Sequence, residues 1–474
     1  MFKRETPLLS LPEGFLHRWG RWLAIAAVLA GSAGLGLGLP YLSKRLDPWL
    51  IVPLAALPVG VVAISLLLNH WEWMPLLVLF GAAFIPLDLP TGTGSRLVDG
   101  LLLTIAFCLL WVVRMAIVER RVILERTWLN TPLLFFMFMN YWSVGWSVLF
   151  RDALVYAPTT FIIVQVASAT VNSMLPGAFL LVNNFIRDWR GLRWLTGIML
   201  AAGVIGLLPR FQLLNLPVNI GGLFGLWVII LPAGLALFQE QLAWYWRALL
   251  ALLAGLYVFW GVALHISWLA GWLPGLVALA VLFFMRSKKA WLLALLAALV
   301  VVAANMDYVD KAFNSESDES GGTRLAAWAA NWSITKDHLL FGTGPAGYAA
   351  YYMSYFPADA MATHSNYVDL LAQNGLVGTL PCLIFFMGLA VTGYRLCGRL
   401  RGRRDFAEGL ANAAFAGTIA CIAAMGFGDW LFPFAYTQTI AGFDYTVYSW
   451  LFMGTILVID RLTRPASVEL VSAA

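Results

Sequence analysis

Long apolar runs, each about as long as a bilayer is thick, recur from one end of the chain to the other. Of the 474 residues, 61% are hydrophobic and 12% are charged, whereas soluble domains carry about 25% charged residues. Runs of roughly 17–25 apolar residues are typical of transmembrane helices, because a segment surrounded by lipid must satisfy its own backbone hydrogen bonds. The sequence therefore predicts an all-α polytopic membrane protein that forms a single membrane domain over residues 1–474.

The positions of these runs predict the number of transmembrane helices. We expect about fourteen, or 12–14 if the shorter runs do not cross the membrane fully. The predicted positions are 22–39, 49–69, 73–87, 98–118, 128–150, 158–185, 194–209, 220–238, 247–264, 266–285, 290–305, 376–396, 409–425 and 445–460.

The distribution of basic residues predicts the orientation of the chain. With the N-terminus in the cytoplasm, 22 of the 30 Lys and Arg residues fall in inner segments. This asymmetry follows the positive-inside rule and predicts that both termini are cytoplasmic. The long polar interval at 306–375 then becomes an extracytoplasmic loop with short helices of its own. Because loops of this length are uncommon without a function, we expect this loop to be catalytic.

The middle of this loop carries an isolated arginine and a glycine-rich turn. Thr323 begins a predicted helix that ends near Asp337. Arg324 lies in its first turn, where the helix dipole disfavours a cation. A guanidinium binds two phosphate oxygens at once, although a solvated surface arginine is the simpler explanation. The following FGTGPAGY, residues 341–348, predicts a turn with positive φ at its glycines. It serves either as a connector or as a substrate cradle.

A second predicted helix follows the turn in THSNYVDLLAQNGLVG, residues 363–378. Thr363 is a suitable N-cap and Gly375 a suitable C-terminal stop. His364 then lies at a helix start, where the positive end of the dipole favours a neutral imidazole. A neutral imidazole accepts a proton from a sugar hydroxyl. A structural histidine remains the alternative.

These motifs together resemble the O-antigen ligase and polymerase superfamily of membrane glycosyltransferases. His364, Ser365, Gly375 and Gly378 match its pattern of His, then Asn, Ser or Gln, then nine residues, then Gly-x-x-Gly. Arg324 with the downstream FGTGPAGY is similar to the family's upstream block. The resemblance implies a GT-C-like fold, His364 as the catalytic base and Arg324 as a ligand of a lipid-linked pyrophosphate.

A segment further upstream, PRFQLLNLPVNIGGLFG, resembles the family's arginine followed by Asn-Pro-Asn before a helix. By this resemblance Arg210 joins Arg324 as a pyrophosphate ligand, and Asn219 is expected at the helix start. The motif reads PVN here, which departs from the family. Many relatives also carry Ser-Arg where this chain has Ser267 and Trp268, so His265 is a candidate to supply part of that charge.

Two further candidates flank the predicted base. Asp429, in the outer turn GFGDWLFPF, is suited to orienting His364 or binding an acceptor hydroxyl, and Ser365 follows the histidine directly. The chain has no HExxH or Asp-rich motif, so we expect neither a metal nor another cofactor. The net charge of +5 is a topology signal and does not predict nucleic-acid binding.

The predicted function is inverting, metal-independent glycosyl transfer on the outer face of the bacterial inner membrane. The resemblance implies a glycan on undecaprenyl pyrophosphate as donor and lipid A–core or another glycan as acceptor. Membrane lipids are the remaining expected partners. An O-antigen ligase is favoured by the spacing at His364. A polymerase of O-antigen or exopolysaccharide uses the same chemistry. The alternative from another class is a non-enzymatic transporter of polysaccharide or lipid, although transporters commonly carry charged or broken helices at mid-membrane.

The predicted topology is tested by labelling a cysteine introduced at Ser317, in the first part of the outer loop. We expect an impermeant thiol reagent to modify it in intact cells or spheroplasts. Labelling only after lysis would contradict the orientation derived from the basic residues.

Overall fold

The fold is helical throughout the described part of the chain. The computed structural model describes residues 70–90, 95–214, 216, 218–265, 269–289, 291–293, 295–296, 300, 322–357, 363–433 and 440–464. The α-helices in these ranges are α1 (Met74–Phe84), α2 (Asp99–Val113), α3 (Asn130–Leu149), α4 (Phe161–Phe185), α5 (Trp189–Arg210), α6 (Phe224–Phe238), α7 (Trp244–Phe259), α8 (Leu269–Arg286), α9 (Gly322–Thr335), α10 (Gly347–Tyr355), α11 (Asn366–Leu400), α12 (Phe406–Ala424) and α13 (Gly442–Leu462).

Short irregular elements complete this list. Single turns of 3-10 helix lie at Trp71–Trp73 and Lys336–His338, and π-helical turns extend α2 over Arg114–Glu119 and α7 over Trp260–Leu264. A two-stranded antiparallel ribbon pairs β1 (Asp88–Pro90) with β2 (Arg96–Val98). Apart from this ribbon the described chain is all-α, as predicted.

Eight helices of the described chain are long and apolar enough to cross a membrane. They correspond to predicted runs between 98 and 460, and they confirm an all-α polytopic membrane protein. The predicted helices at 22–39 and 49–69 lie outside the described residues, as does most of 290–305. The count of 12–14 therefore stays a prediction.

Contacts divide the chain into two compact units. The first comprises Met1–Met74 with Val113–Val122, and the second comprises Pro75–Val112 with Ile123–Ala474. In the first, the Arg114 guanidinium lies 4.6 Å from the ring centre of Trp71 and pairs with Glu119 at 3.1 Å. The second contains every predicted site residue.

Helix α13 lies at the centre of the second unit. In its most apolar stretch, 94% of the residues are buried. Trp227 of α6 stacks on Phe452 of α13 at 5.1 Å, and its indole N–H donates to Ser449 Oγ at 2.9 Å. The small Gly417 of α12 makes room for the same indole. Small residues of this kind allow membrane helices to approach closely.

The loop at 306–375 contains the two predicted helices, with different ends. The helix expected from Thr323 to Asp337 is α9, Gly322–Thr335. The helix expected to stop at Gly375 and the membrane helix expected at 376–396 join as α11. They meet at a kink where Gly375 has φ 62° and ψ −171°, so the predicted stop is confirmed as an interruption.

The kink is stabilised by the chain that precedes the glycine-rich turn. The N–H groups of Leu376 and Val377 leave the helical pattern and donate to the carbonyls of Leu339 and Leu340, at 2.8 and 3.1 Å. A Cβ on Gly375 would strike the Leu340 carbonyl. The outer loop and the membrane helix therefore touch backbone to backbone at this residue.

Replacing Gly375 with alanine tests this contact. The new Cβ meets Leu340, and the backbone conformation of Gly375, with positive φ and an extended ψ, by itself costs about 1–3 kcal/mol in a residue other than glycine. We expect Gly375→Ala to lower the free energy of unfolding by about 2 kcal/mol or more, measured as a loss of thermal stability in detergent. Gly398→Ala, on the same helix with open space around its Cα, is the control and should be neutral or stabilising. Equal melting temperatures would contradict the contact.

Candidate active site

His364 lies in the tight connection that leads into α11. It is half-buried, and its φ of 47° is in the left-handed region. This backbone is uncommon for a residue with a side chain and is frequently found at functional sites. The indole N–H of Trp328 on α9 donates to the carbonyl of Thr363 at 2.7 Å. Helix α9 is thereby fixed against the residue that precedes the histidine.

The predicted N-cap at Thr363 is wrong. Ser365 occupies the cap position, with φ −146° and ψ 115°. The Thr363 hydroxyl instead accepts from the Ser365 N–H at 3.4 Å. Because His364 takes the left-handed conformation, the helix begins two residues later than the sequence predicts. The histidine consequently stands just outside the helix.

The residues after His364 hold the turn that contains Asp429. The Asn366 amide N–H₂ donates to the Phe432 carbonyl at 2.8 Å, and its oxygen accepts from Leu431 N at 3.0 Å. The Asn366 backbone N–H donates to the Met425 carbonyl at 2.8 Å. Both ends of the turn are therefore tied to Asn366. Asp429, which is buried, is held between those two anchor points.

The contacts of Ser365 serve the fold. Its side chain is buried, and its hydroxyl donates to the Met425 carbonyl at 3.3 Å. The hydroxyl proton is thus engaged within the fold. This contact explains why a small hydroxyl residue suits the position beside His364.

The glycine-rich turn behaves as a connector. Gly342 and Gly344 have φ of 72° and 84°, as predicted, whereas Gly347 begins α10. The N–H groups of Thr343 and Gly344 donate to the carbonyls of Ala372 and Gln373 at 2.8 and 2.9 Å. Because these donors are used by α11, the turn does not present them to an anion.

Arg324 lies in the first turn of α9. Trp328, which contacts Thr363, is four residues further on. Positions four apart share one face of a helix, so position 324 is one turn along α9 from the contact beside His364.

Arg210 forms a stacked group with two residues of α7 and its π-helical extension. Its guanidinium carbon lies 3.9 Å from the ring centre of Trp260 and 5.2 Å from that of Tyr257. One terminal nitrogen donates to the Ile220 carbonyl at 2.8 Å, while Nε has no partner among the described residues. Stacking on an indole favours a guanidinium that has left water.

His265 joins the same group. Its ring stacks on Trp260 at 3.8 Å with an angle of 25° between the planes. The sequence predicted separate roles for Arg210 and His265, and the structure brings them to one indole. The cleft beside Arg210 and Trp260 has about 10 Å³ of space for water, enough for roughly one molecule.

Asn219 is not at a helix start, and this prediction is wrong. Helix α6 begins at Phe224. The Asn219 N–H donates to the Ala83 carbonyl at 3.0 Å. The intervening Gly222 has φ 51° and packs against the backbone of Tyr445, which delays the helix. The backbone N–H of Asn219 is therefore occupied and does not form an anion site.

A second polar cluster, which joins the segment after α3 to the loop at 306–375, was not predicted from the sequence. His338 Nε2 lies 3.4 Å from Asp152 Oδ1, and Tyr355 donates to the other oxygen at 3.1 Å. The Asp152 N–H donates to the Tyr351 hydroxyl at 3.2 Å. Burial raises the pKa of Tyr351 to about 12, so this hydroxyl stays protonated at neutral pH. The partners are almost two hundred residues apart, and no local pattern links them.

Part of the chain matches a known protein family. The family model described as O-antigen ligase matches residues 248–383, a range that contains His265, Arg324 and His364. The resemblance to the O-antigen ligase superfamily is confirmed over that segment. No curated protein matches the chain.

Replacing Asn366 tests whether its bonds to Leu431 and Phe432 hold the turn beside His364 in place. In Asn366→Ala, the N–H groups of Leu431 and Phe432 and the Phe432 carbonyl lose their partner. Since each buried unpaired group costs about 1–3 kcal/mol, we expect a loss of about 3 kcal/mol in unfolding free energy, measured by thermal denaturation in detergent. Asn412→Ala is the control, because that buried amide donates only to its own helix at Glu408. Equal losses would argue against this role of Asn366.

Proposed function

We propose that this multi-pass membrane protein, whose residues 248–383 match the O-antigen ligases, transfers a glycan from undecaprenyl pyrophosphate to an acceptor hydroxyl. The acceptor is lipid A–core, and the reaction takes place on the outer face of the inner membrane. Both termini are then cytoplasmic. Residues 306–375 form the catalytic loop of a single membrane domain.

The observation that carries the proposal is the setting of His364. Its neighbours are held from two sides, by Trp328 bonding to Thr363 and by the turn at Met425–Phe432 bonding to Asn366. The backbone at His364 is thereby fixed in an uncommon conformation. A general base requires this kind of fixed position more than it requires a perturbed pKa.

The reaction assigned to this site is a single displacement. The acceptor oxygen attacks the anomeric carbon, its proton passes to His364, and the bond from the anomeric carbon to the pyrophosphate oxygen breaks. The products are the new glycoside, with inverted configuration, and the carrier pyrophosphate. Asp429, held in the neighbouring turn, is proposed to orient the imidazole or the acceptor. No metal is required, because pyrophosphate is already a good leaving group.

Arg210 and Arg324 are proposed to stabilise the charge that develops on the pyrophosphate. Arg210 is suited to this role because stacking on Trp260 holds a charged group that keeps an unpaired Nε. Trp260 lies on a π-helical turn, an irregularity frequently found at functional sites. Since the cleft admits about one water molecule, we expect this turn to move when donor binds.

The test separates proton transfer from donor binding. In purified protein with lipid-linked glycan, we expect His364→Ala and His364→Gln to lower turnover about 10²–10⁴-fold while donor still binds. Glutamine keeps a hydrogen bond but cannot accept the proton. Arg210→Lys keeps the charge but loses the two parallel N–H donors of the guanidinium, so it should weaken donor binding. Transfer by His364→Gln at the wild-type rate would refute the base assignment.

The glycans that accumulate in a deletion strain distinguish a ligase from a polymerase. A ligase defect leaves long glycans on the carrier, and a polymerase defect leaves single repeat units there. If purified protein transfers no glycan in the presence of donor and acceptor, but moves lipid-linked glycan across vesicles, the enzymatic proposal fails.

A further inference from the structure

A seam of uncharged polar side chains runs through the interior between α3, α4 and α11. None of the predicted site residues belongs to it. Within each helix the spacing of its members is that of a single face. All of them are buried: Asn140, Ser143 and Ser147 of α3, Gln165 and Asn172 of α4, and Asn374 of α11.

Two hydrogen bonds show how α3 and α4 lie along this seam. Gln165 Nε2 donates to Ser147 Oγ at 2.9 Å, and the Tyr141 hydroxyl donates to Thr170 Oγ1 at 3.3 Å. Because the numbers rise along one helix as they fall along the other, the two helices are antiparallel. Asn172, about two turns along α4 from Gln165, therefore lies toward the opposite end of the seam.

Asn374 joins the seam from α11. Its Nδ2 donates to Asn140 Oδ1 at 3.2 Å. Ser143 lies one turn along α3 from Asn140 and one turn from Ser147, which accepts from Gln165. The Ser143 hydroxyl is thus flanked by two amide groups, one from α4 and one from α11.

The orientation of both amides is fixed by their partners. The Ser147 hydroxyl donates to a carbonyl of its own helix at 2.9 Å, so it is left to accept from the N–H₂ of Gln165. The Asn140 N–H₂ also donates within its own helix, at 3.1 Å, and its oxygen accepts from the N–H₂ of Asn374. Each of these two amides therefore uses its nitrogen for the fold and has its oxygen left over.

Four oxygens of the seam have no hydrogen-bond partner among the described residues: Ser143 Oγ, Gln165 Oε1, Asn172 Oδ1 and Asn374 Oδ1. They also have almost no surface accessible to water. Buried acceptors without a donor are unfavourable. Carbonyl and hydroxyl oxygens are suitable ligands for a hard cation, which approaches them to about 2.3–2.6 Å. That distance is shorter than a hydrogen bond from water, about 2.8 Å, so a bare cation suits such a closed site better.

We propose that this seam binds one dehydrated sodium ion. Its ligands are Ser143 Oγ, Gln165 Oε1 and Asn374 Oδ1, with Asn172 Oδ1 as the fourth oxygen. A monovalent ion is assigned because all four ligands are neutral, and burying a higher charge among neutral groups is more costly. The ion takes no part in the proposed reaction, and its site stands whether or not the glycosyl transfer is confirmed.

The position of the seam gives the ion a role in the fold. The glycine-rich turn packs on one end of it, where a Cβ on Gly344 would lie 2.5 Å from Ser147 Oγ and 2.7 Å from Gln165 Nε2. Asn374 directly precedes the kink at Gly375. An ion held between these residues stabilises the junction of the turn, α3, α4 and α11.

The test is thermal unfolding of the purified full-length chain in detergent, in chloride salts of sodium, potassium or N-methylglucamine at equal ionic strength. A ligand that binds the folded state raises the unfolding midpoint with the logarithm of its concentration. We expect this rise with sodium and not with N-methylglucamine, and a smaller rise with the larger potassium ion. Sodium-23 NMR of the same sample should show line broadening that saturates with protein.

A matched pair of variants locates the site. Ser143→Ala removes an oxygen that has no partner in the described chain, so without sodium its stability should be unchanged or higher. We expect the same variant to weaken the apparent affinity for sodium about tenfold. Ser173→Ala is the control, because that hydroxyl is also buried and without a described partner but lies off the face of α4 that carries Gln165 and Asn172. It should respond to sodium as the wild type does.

Three results would overturn the proposal. An equal rise of the midpoint in all three salts would show a general effect of ionic strength. A sodium response in Ser143→Ala as strong as that of the wild type would exclude Ser143 as a ligand. Equal losses of the response in Ser143→Ala and Ser173→Ala would show that the effect does not come from this seam.

Discussion

The backbone contact between the glycine-rich turn and the kink of α11 is the constraint on which the candidate site depends. At Gly342 and Gly375 two chains approach so closely that a Cβ on either glycine would meet the main chain of the other segment. Thr343 and Gly344 donate to α11 on one side of the kink, and Leu376 and Val377 return bonds to the loop on the other. The loop is thus joined to the membrane helix by main-chain bonds that leave no room for adjustment. This junction fixes the orientation of the first part of α11, from Asn366 to Asn374.

The apolar runs of the sequence were sufficient to predict the helices, because a helix that is surrounded by lipid or by other helices needs apolar residues along its whole length. It also located the interruption at Gly375, since only glycine tolerates that backbone conformation easily. Two local predictions failed for a shared reason. The cap at Thr363 and the helix start at Asn219 depend on partners distant in sequence, Trp328 in one case and Tyr445 in the other. Capping preferences describe neighbours along the chain and carry no information about such partners.

The spatial proximity of the candidate residues was the least predictable part of the site. The resemblance selected Arg210 and His265 one at a time, while their common neighbour Trp260 was not considered. Asp152, His338 and Tyr355 form a cluster whose members carry no motif. The roles of His364, Arg210, Arg324 and Asp429 are proposals, and the His364 and Arg210 variants described above test two of them.

Because the chain is continuous from His364 through the first part of α11 to the kink, the distance between the histidine and the kink is fixed. From Asn366 to Gly375 the helix advances at most about 14 Å, at 1.5 Å per residue. The imidazole therefore stands at a fixed elevation above the point where α11 turns into its long apolar stretch. A carrier lipid also has a fixed elevation, because its pyrophosphate stays at the bilayer surface whatever sugars it bears. Under the proposed reaction, a site built in this way measures distance from the membrane and acts on the carrier-proximal sugar of a glycan of any length.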